Sequence, residues 1–135
     1  MAYKVIAIEG VGEEYAKKLN EIGIKYAEDY LESVRTPAQR KEIAEKTGIS
    51  PKLIMKWANH CDLMRIKGIG PQYAEFLEVA GVDTVKELSH RVPENLLAKL
   101  EEVNNVREMT KRVPALKEVR RYVKEAGELP PVLEY

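Results

Sequence analysis

Ile66-Lys67-Gly68-Ile69-Gly70-Pro71-Gln72-Tyr73-Ala74-Glu75-Phe76-Leu77, continued by Ala80-Gly81-Val82, is the stretch on which the fold turns. Gly68 and Gly70 flank one apolar residue, so the backbone can turn sharply, with positive φ or a close approach that a side chain would prevent. Pro71 falls where a first helical position is expected, and its missing N–H costs nothing there. Ile69, Tyr73, Leu77 and Ala80 follow at helical spacing as one buried stripe, widened by Phe76. Gly81 ends that helix just past its last apolar residue.

The pattern occurs twice. Ile8-Glu9-Gly10-Val11-Gly12-Glu13-Glu14-Tyr15-Ala16-Lys17-Lys18-Leu19, then Ile22-Gly23-Ile24, repeats it at a constant step of 58 residues, from Gly10 to Gly68. Both glycines, the tyrosine, the alanine, the leucine, the closing glycine and a β-branched residue match, which argues for a tandem duplication. The string resembles the helix-hairpin-helix signature, whose hairpin amides hold a nucleic-acid phosphate without reading sequence. Ile43 to Ser50 (Ile43-Ala44-Glu45-Lys46-Thr47-Gly48-Ile49-Ser50) looks like a degenerate second hairpin within the first unit. Each unit is therefore similar to the small N-terminal helix-hairpin-helix domain of archaeal RecA-like recombinases. Over nearly all 135 residues the chain resembles an uncharacterised, mostly bacterial helix-hairpin-helix family of unknown function. That resemblance takes in Trp57-Ala58-Asn59-His60, Val82 to Leu88 and Pro130-Pro131-Val132. It implies an all-α fold of two five-helix, SAM-like units packed together, and it implies no activity.

The expected division is residues 1–62 and 63–135, with an insertion and a C-terminal tail in the second unit. Units of that size are marginal alone and gain by sharing apolar surface. Lys+Arg and Asp+Glu both number 22, so no global field favours nucleic acid or anionic lipid. The sequence has no apolar run of bilayer length and no signal-peptide pattern, so a cytoplasmic protein without a membrane partner is expected. A single cysteine agrees with a reducing compartment.

Residues up to Ala7 read as an extended lead-in, and helix one is expected from about Glu13 to Ile22. A short helix follows over Tyr26–Ser33. Thr36-Pro37 and Ser50-Pro51 each pair a capping side chain with proline at the first helical position. In the second unit Asp83 is expected to cap a short helix, and Pro93 starts another. An insertion is expected within Glu102–Arg112. Pro114 should open the last helix and Gly127 close it. The tail from Leu129 to Tyr135 is expected to lie across the surface or to be disordered.

The chemistry this pattern allows is physical rather than catalytic. Free amides at a helix N-terminus, helped by the helix dipole, hold one phosphate. In the second hairpin Arg65, Lys67, Gly68, Ile69, Gly70 and Gln72 form the candidate phosphate site. In the first, Glu9, Glu13 and Glu14 stand where the phosphate would come and repel it. Arg107 to Lys124 holds seven basic residues against two acidic ones. On the last helix Lys117, Arg120, Arg121 and Lys124 share one face. Cys61 continues an apolar stripe with Ile54 and Trp57, and no second ligand cluster accompanies His60, Cys61 and Asp62, so no metal and no cofactor are expected. Neither His60 nor His90 has a carboxylate partner in a motif, and no enzyme is expected. Two functions remain. The chain binds the DNA backbone without sequence preference as an accessory factor, or it is a protein–protein adaptor that has lost the phosphate contacts.

Overall fold

Four prolines open four of the helices. Pro37 starts α3 (Pro37–Thr47), Pro51 starts α4 (Pro51–Leu63), Pro71 starts α5 (Pro71–Val79) and Pro93 starts α7 (Pro93–Val106). The structure, a computed structural model, describes residues 3–135. Among these, eight α-helices form, the others being α1 (Gly12–Glu21), α2 (Ala27–Ser33), α6 (Val85–Ser89) and α8 (Leu116–Glu128). None of them is long and apolar enough to cross a membrane. Thr36 closes a full capping box, its hydroxyl accepting from the Gln39 amide while the Gln39 side chain accepts from the Thr36 amide, both at 3.1 Å. Ser50 accepts more weakly from Leu53, at 3.4 Å.

Three boundaries differ from expectation. Thr84, not Asp83, caps α6, its hydroxyl accepting from the Glu87 amide at 3.0 Å. α8 begins at Leu116 rather than at Pro114, because Ala115 is still extended and its amide donates to the Glu118 carboxylate. Gly127 lies inside α8. The helix runs one residue further and stops ahead of Pro130, since a residue before proline is pushed out of the helical region. The lead-in is a short 3-10 turn over Val5–Ala7 rather than extended chain, with Lys4 bridged to Tyr26; Met1 and Ala2 lie outside the described residues.

The buried side chains form one continuous cluster from Val5 to Leu133. α4 lies at its centre, packed on α2, α3, α5 and α6, while α8 packs on α6 and α7. Trp57 of α4 is completely buried between the edges of Tyr15 and Tyr30. The Tyr30 hydroxyl donates to the Ile54 carbonyl at 2.7 Å, which pairs a buried polar group as burial demands. The segment after α7 has no helix, and three side chains tie it down. Asn104 accepts from the Met109 and Thr110 amides, Gln72 donates to the Met109 carbonyl, and Tyr73 donates to the Arg112 carbonyl.

The tail after α8 crosses the surface back to the N-terminal half. Leu133 is buried, the Glu134 amide donates to the Arg35 carbonyl at 2.8 Å, and Arg40 donates to the Glu134 carbonyl. Tyr135 donates its hydroxyl to Asn59 at 2.8 Å.

Candidate nucleic-acid interface

Gly68 has φ +94°, which L side chains avoid, and a Cβ there would lie 2.9 Å from Arg121 Nη2 and 3.2 Å from the Tyr122 hydroxyl. The second glycine turn is thus pressed against α8. On its other side, a Cβ on Gly70 would lie 2.8 Å from the Tyr3 hydroxyl. The turn also lines a hollow of about 390 Å³, formed by Tyr3 and residues 64–70. α5 starts at this hollow with no side-chain cap on Gly70, and Pro71 brings no N–H of its own.

The residues expected at this site divide into three groups. Lys67 and Gly68 are exposed at the hollow, Gly70 is half-buried there, and Ile69 is buried and serves as packing. Arg65 reaches it from a fixed position, bound to Asp62 at 2.8 Å and to the Pro130 carbonyl at 3.0 Å. Burial pushes the Asp62 carboxyl up, and the Arg65 guanidinium pulls it back. Gln72 is exposed, but its amide is spent on Met109. On α8, Lys117, Arg120, Arg121 and Lys124 are all exposed, while Val119, Tyr122 and Ala126 are buried behind them. Arg120 lies 3.8 Å from Glu94, a solvent-exposed pair of little energetic weight. Arg121 stacks on the Tyr122 ring and pairs with Glu125 at 3.3 Å. α8 therefore joins the turn through Arg121, with the other three cations along its outer face.

Glu125 was missed in the sequence. Its Oε1 accepts from the Lys67 amide at 3.2 Å, so a carboxylate already holds one amide of the turn. The basic stretch read from the sequence ends one residue short of it. Tyr3 was also missed, because nothing local links it to Gly70. Arg65, Lys67 and the turn line one hollow beside a helix start without a side-chain cap, the kind of arrangement that favours an anion.

The first glycine turn is built differently. Gly10 and Gly12 both have positive φ, and Gly10 lies against the Trp57 indole, whose Nε1 is buried without a partner. Glu9, Glu13 and Glu14 are exposed around it.

A correction concerns His60. It is fully buried, and it does have carboxylate partners: Nε2 is 3.1 Å from Glu78 Oε2 and 3.9 Å from Glu75 Oε2. Cys61 is part of the apolar core and Asp62 is committed to Arg65, so the three consecutive residues do not share one site. His90 is exposed.

Fold and site together define an all-helical protein with a surface hollow at its second glycine turn. The chain belongs to the family defined by a domain of unknown function (DUF4332), which matches residues 9–129. No curated protein and no solved structure matches it.

Proposed function

We propose that this protein binds the backbone of DNA without reading its sequence, through the second glycine turn and α8, and that its two glycine turns are helix-hairpin-helix motifs in tandem. The observation that carries this reading is the meeting of Arg121 with Gly68 beside an exposed Lys67, which gives two cations and a helix start for one phosphate. Lys117, Arg120 and Lys124 then extend the contact along neighbouring phosphates. A phosphate at the turn takes the place of Glu125 on the Lys67 amide. The first turn, ringed by Glu9, Glu13 and Glu14 and packed on Trp57, serves the core.

A specific observation favours the adaptor instead. Glu125 already satisfies the turn and neutralises Arg121, as a motif retired from phosphate binding would. Fluorescence anisotropy with labelled duplex and single-stranded DNA separates the two. A DNA-binding protein loses affinity on Lys67→Glu and on Arg120→Glu with Arg121→Glu, and is little changed by Lys17→Glu at the first turn. Glu125→Gln tightens binding by up to about fivefold, the scale of a partly exposed charge pair. An adaptor shows no salt-sensitive DNA binding in the unaltered protein. Equal losses from Lys17→Glu and Lys67→Glu would contradict the difference between the turns.

A further inference from the structure

His60 on α4 meets Glu75 and Glu78 on α5 at the seam between the two helices. Glu75 and Glu78 are three residues apart and share a helix face, which brings both to the one imidazole. Their three ligand atoms lie within 4.8 Å of one another, with His60 Nε2 at 3.1 Å and 3.9 Å from the two carboxylate oxygens. Donors sharing one cation at bond lengths of about 2.0–2.2 Å sit about 3.0–3.6 Å apart. Small side-chain rotations therefore close the three onto one ion.

Two independent observations favour an ion there. Glu75 Oε2 is buried with no hydrogen-bond partner. An unpaired buried carboxylate oxygen is costly, and a cation removes that cost. Glu75 also lines a surface cavity of about 220 Å³ with Glu9, Gln72, Arg107, Glu108 and Met109. Its lining of three carboxylates against one guanidinium draws a cation towards Glu75. Lys56 Nζ, 3.5 Å from Glu78 Oε1, supplies part of the balancing charge without one.

We infer that His60, Glu75 and Glu78 bind one divalent first-row transition-metal ion that links α4 to α5. One imidazole nitrogen with two carboxylates suits Zn²⁺ or Mn²⁺, with Zn²⁺ the tighter, and does not suit Mg²⁺, which prefers oxygen ligands and keeps its water. Gln72 of the proposed DNA-binding surface lines the same cavity as Glu75, but neither proposal depends on the other.

The test uses the full chain, freed of metal by a chelator and titrated calorimetrically with zinc, manganese and magnesium chlorides. Thermal melting is followed by circular dichroism with and without each ion. One equivalent of Zn²⁺ is expected to bind and raise the melting temperature, with Mg²⁺ at least about tenfold weaker. His60 is buried and its variants are exposed to folding failure, so the partly exposed carboxylates carry the test. Glu75→Gln and Glu78→Gln keep side-chain size and are expected to keep the helical spectrum while each loses at least about tenfold in Zn²⁺ affinity. The site is overturned if the unaltered protein binds no Zn²⁺ saturably, if Mg²⁺ binds equally well, or if both variants bind Zn²⁺ as the unaltered protein does.

Discussion

Lys67 holds two opposed features within one residue: its side chain is exposed at the hollow, and its amide is held by the Glu125 carboxylate. Gly68 beside it is fixed by sterics as well as by φ. Gly68→Ala forces a side chain into the left-handed region and against Arg121 and Tyr122. We expect that variant to unfold in urea with a loss of about 1–3 kcal/mol. An unchanged midpoint would mean that the turn relaxes freely. Cys61 is the opposite kind of residue, buried and inert. Burial, with Asp62 beside it, pushes its thiol up to about 12, so almost no thiolate exists at neutral pH. Native protein should react slowly with thiol reagents, and fast stoichiometric labelling would contradict the packing of α4. The placement of Cys61 with Ile54 and Trp57 was legible because all three lie on one helix. The meetings of His60 with Glu78 and of Lys67 with Glu125 were not, since they join residues 18 and 58 positions apart and depend on how whole helices are rotated.

Helices announced by local chemistry were readable from the sequence. The starts of α3, α4, α5 and α7 follow from proline at the first helical position, and Thr36 and Ser50 add their hydroxyls. Thr36→Ala removes one half of the capping box and should cost about 1 kcal/mol in chemical denaturation. No loss at all would show that tertiary packing alone fixes the α3 start. Where the signal was competing, the reading slipped. Asp83 and Thr84 both suit a cap, and it is the Thr84 hydroxyl that accepts from Glu87. Gly127 suggested a stop, but α8 keeps its buried Ala126 against the core and yields only to Pro130. The segment after α7 gave no local signal of its path. Its course depends on Asn104, Gln72 and Tyr73, whose roles are visible only in three dimensions.

Across the whole molecule, one apolar cluster and the returning tail hold the N- and C-terminal halves together. Leu133→Ala should destabilise the protein by about 2 kcal/mol, because Leu133 is buried at the end of that tail. A change near zero would mean that the tail lies on the surface without contributing to it. Charge is balanced overall, with 22 basic and 22 acidic residues, so any attraction for DNA must come from local clustering, as proposed for Lys67 and α8. Salt dependence reads that directly, since each phosphate contact releases counterions. The most direct test is the slope of log affinity against log salt for duplex DNA, measured from about 50 mM upward for the unaltered protein and for Lys67→Glu. DNA-backbone binding through the second turn predicts measurable binding at the lowest salt and a slope that flattens by about one unit in the variant. No binding at about 50 mM salt, or an identical slope in the two proteins, would contradict it.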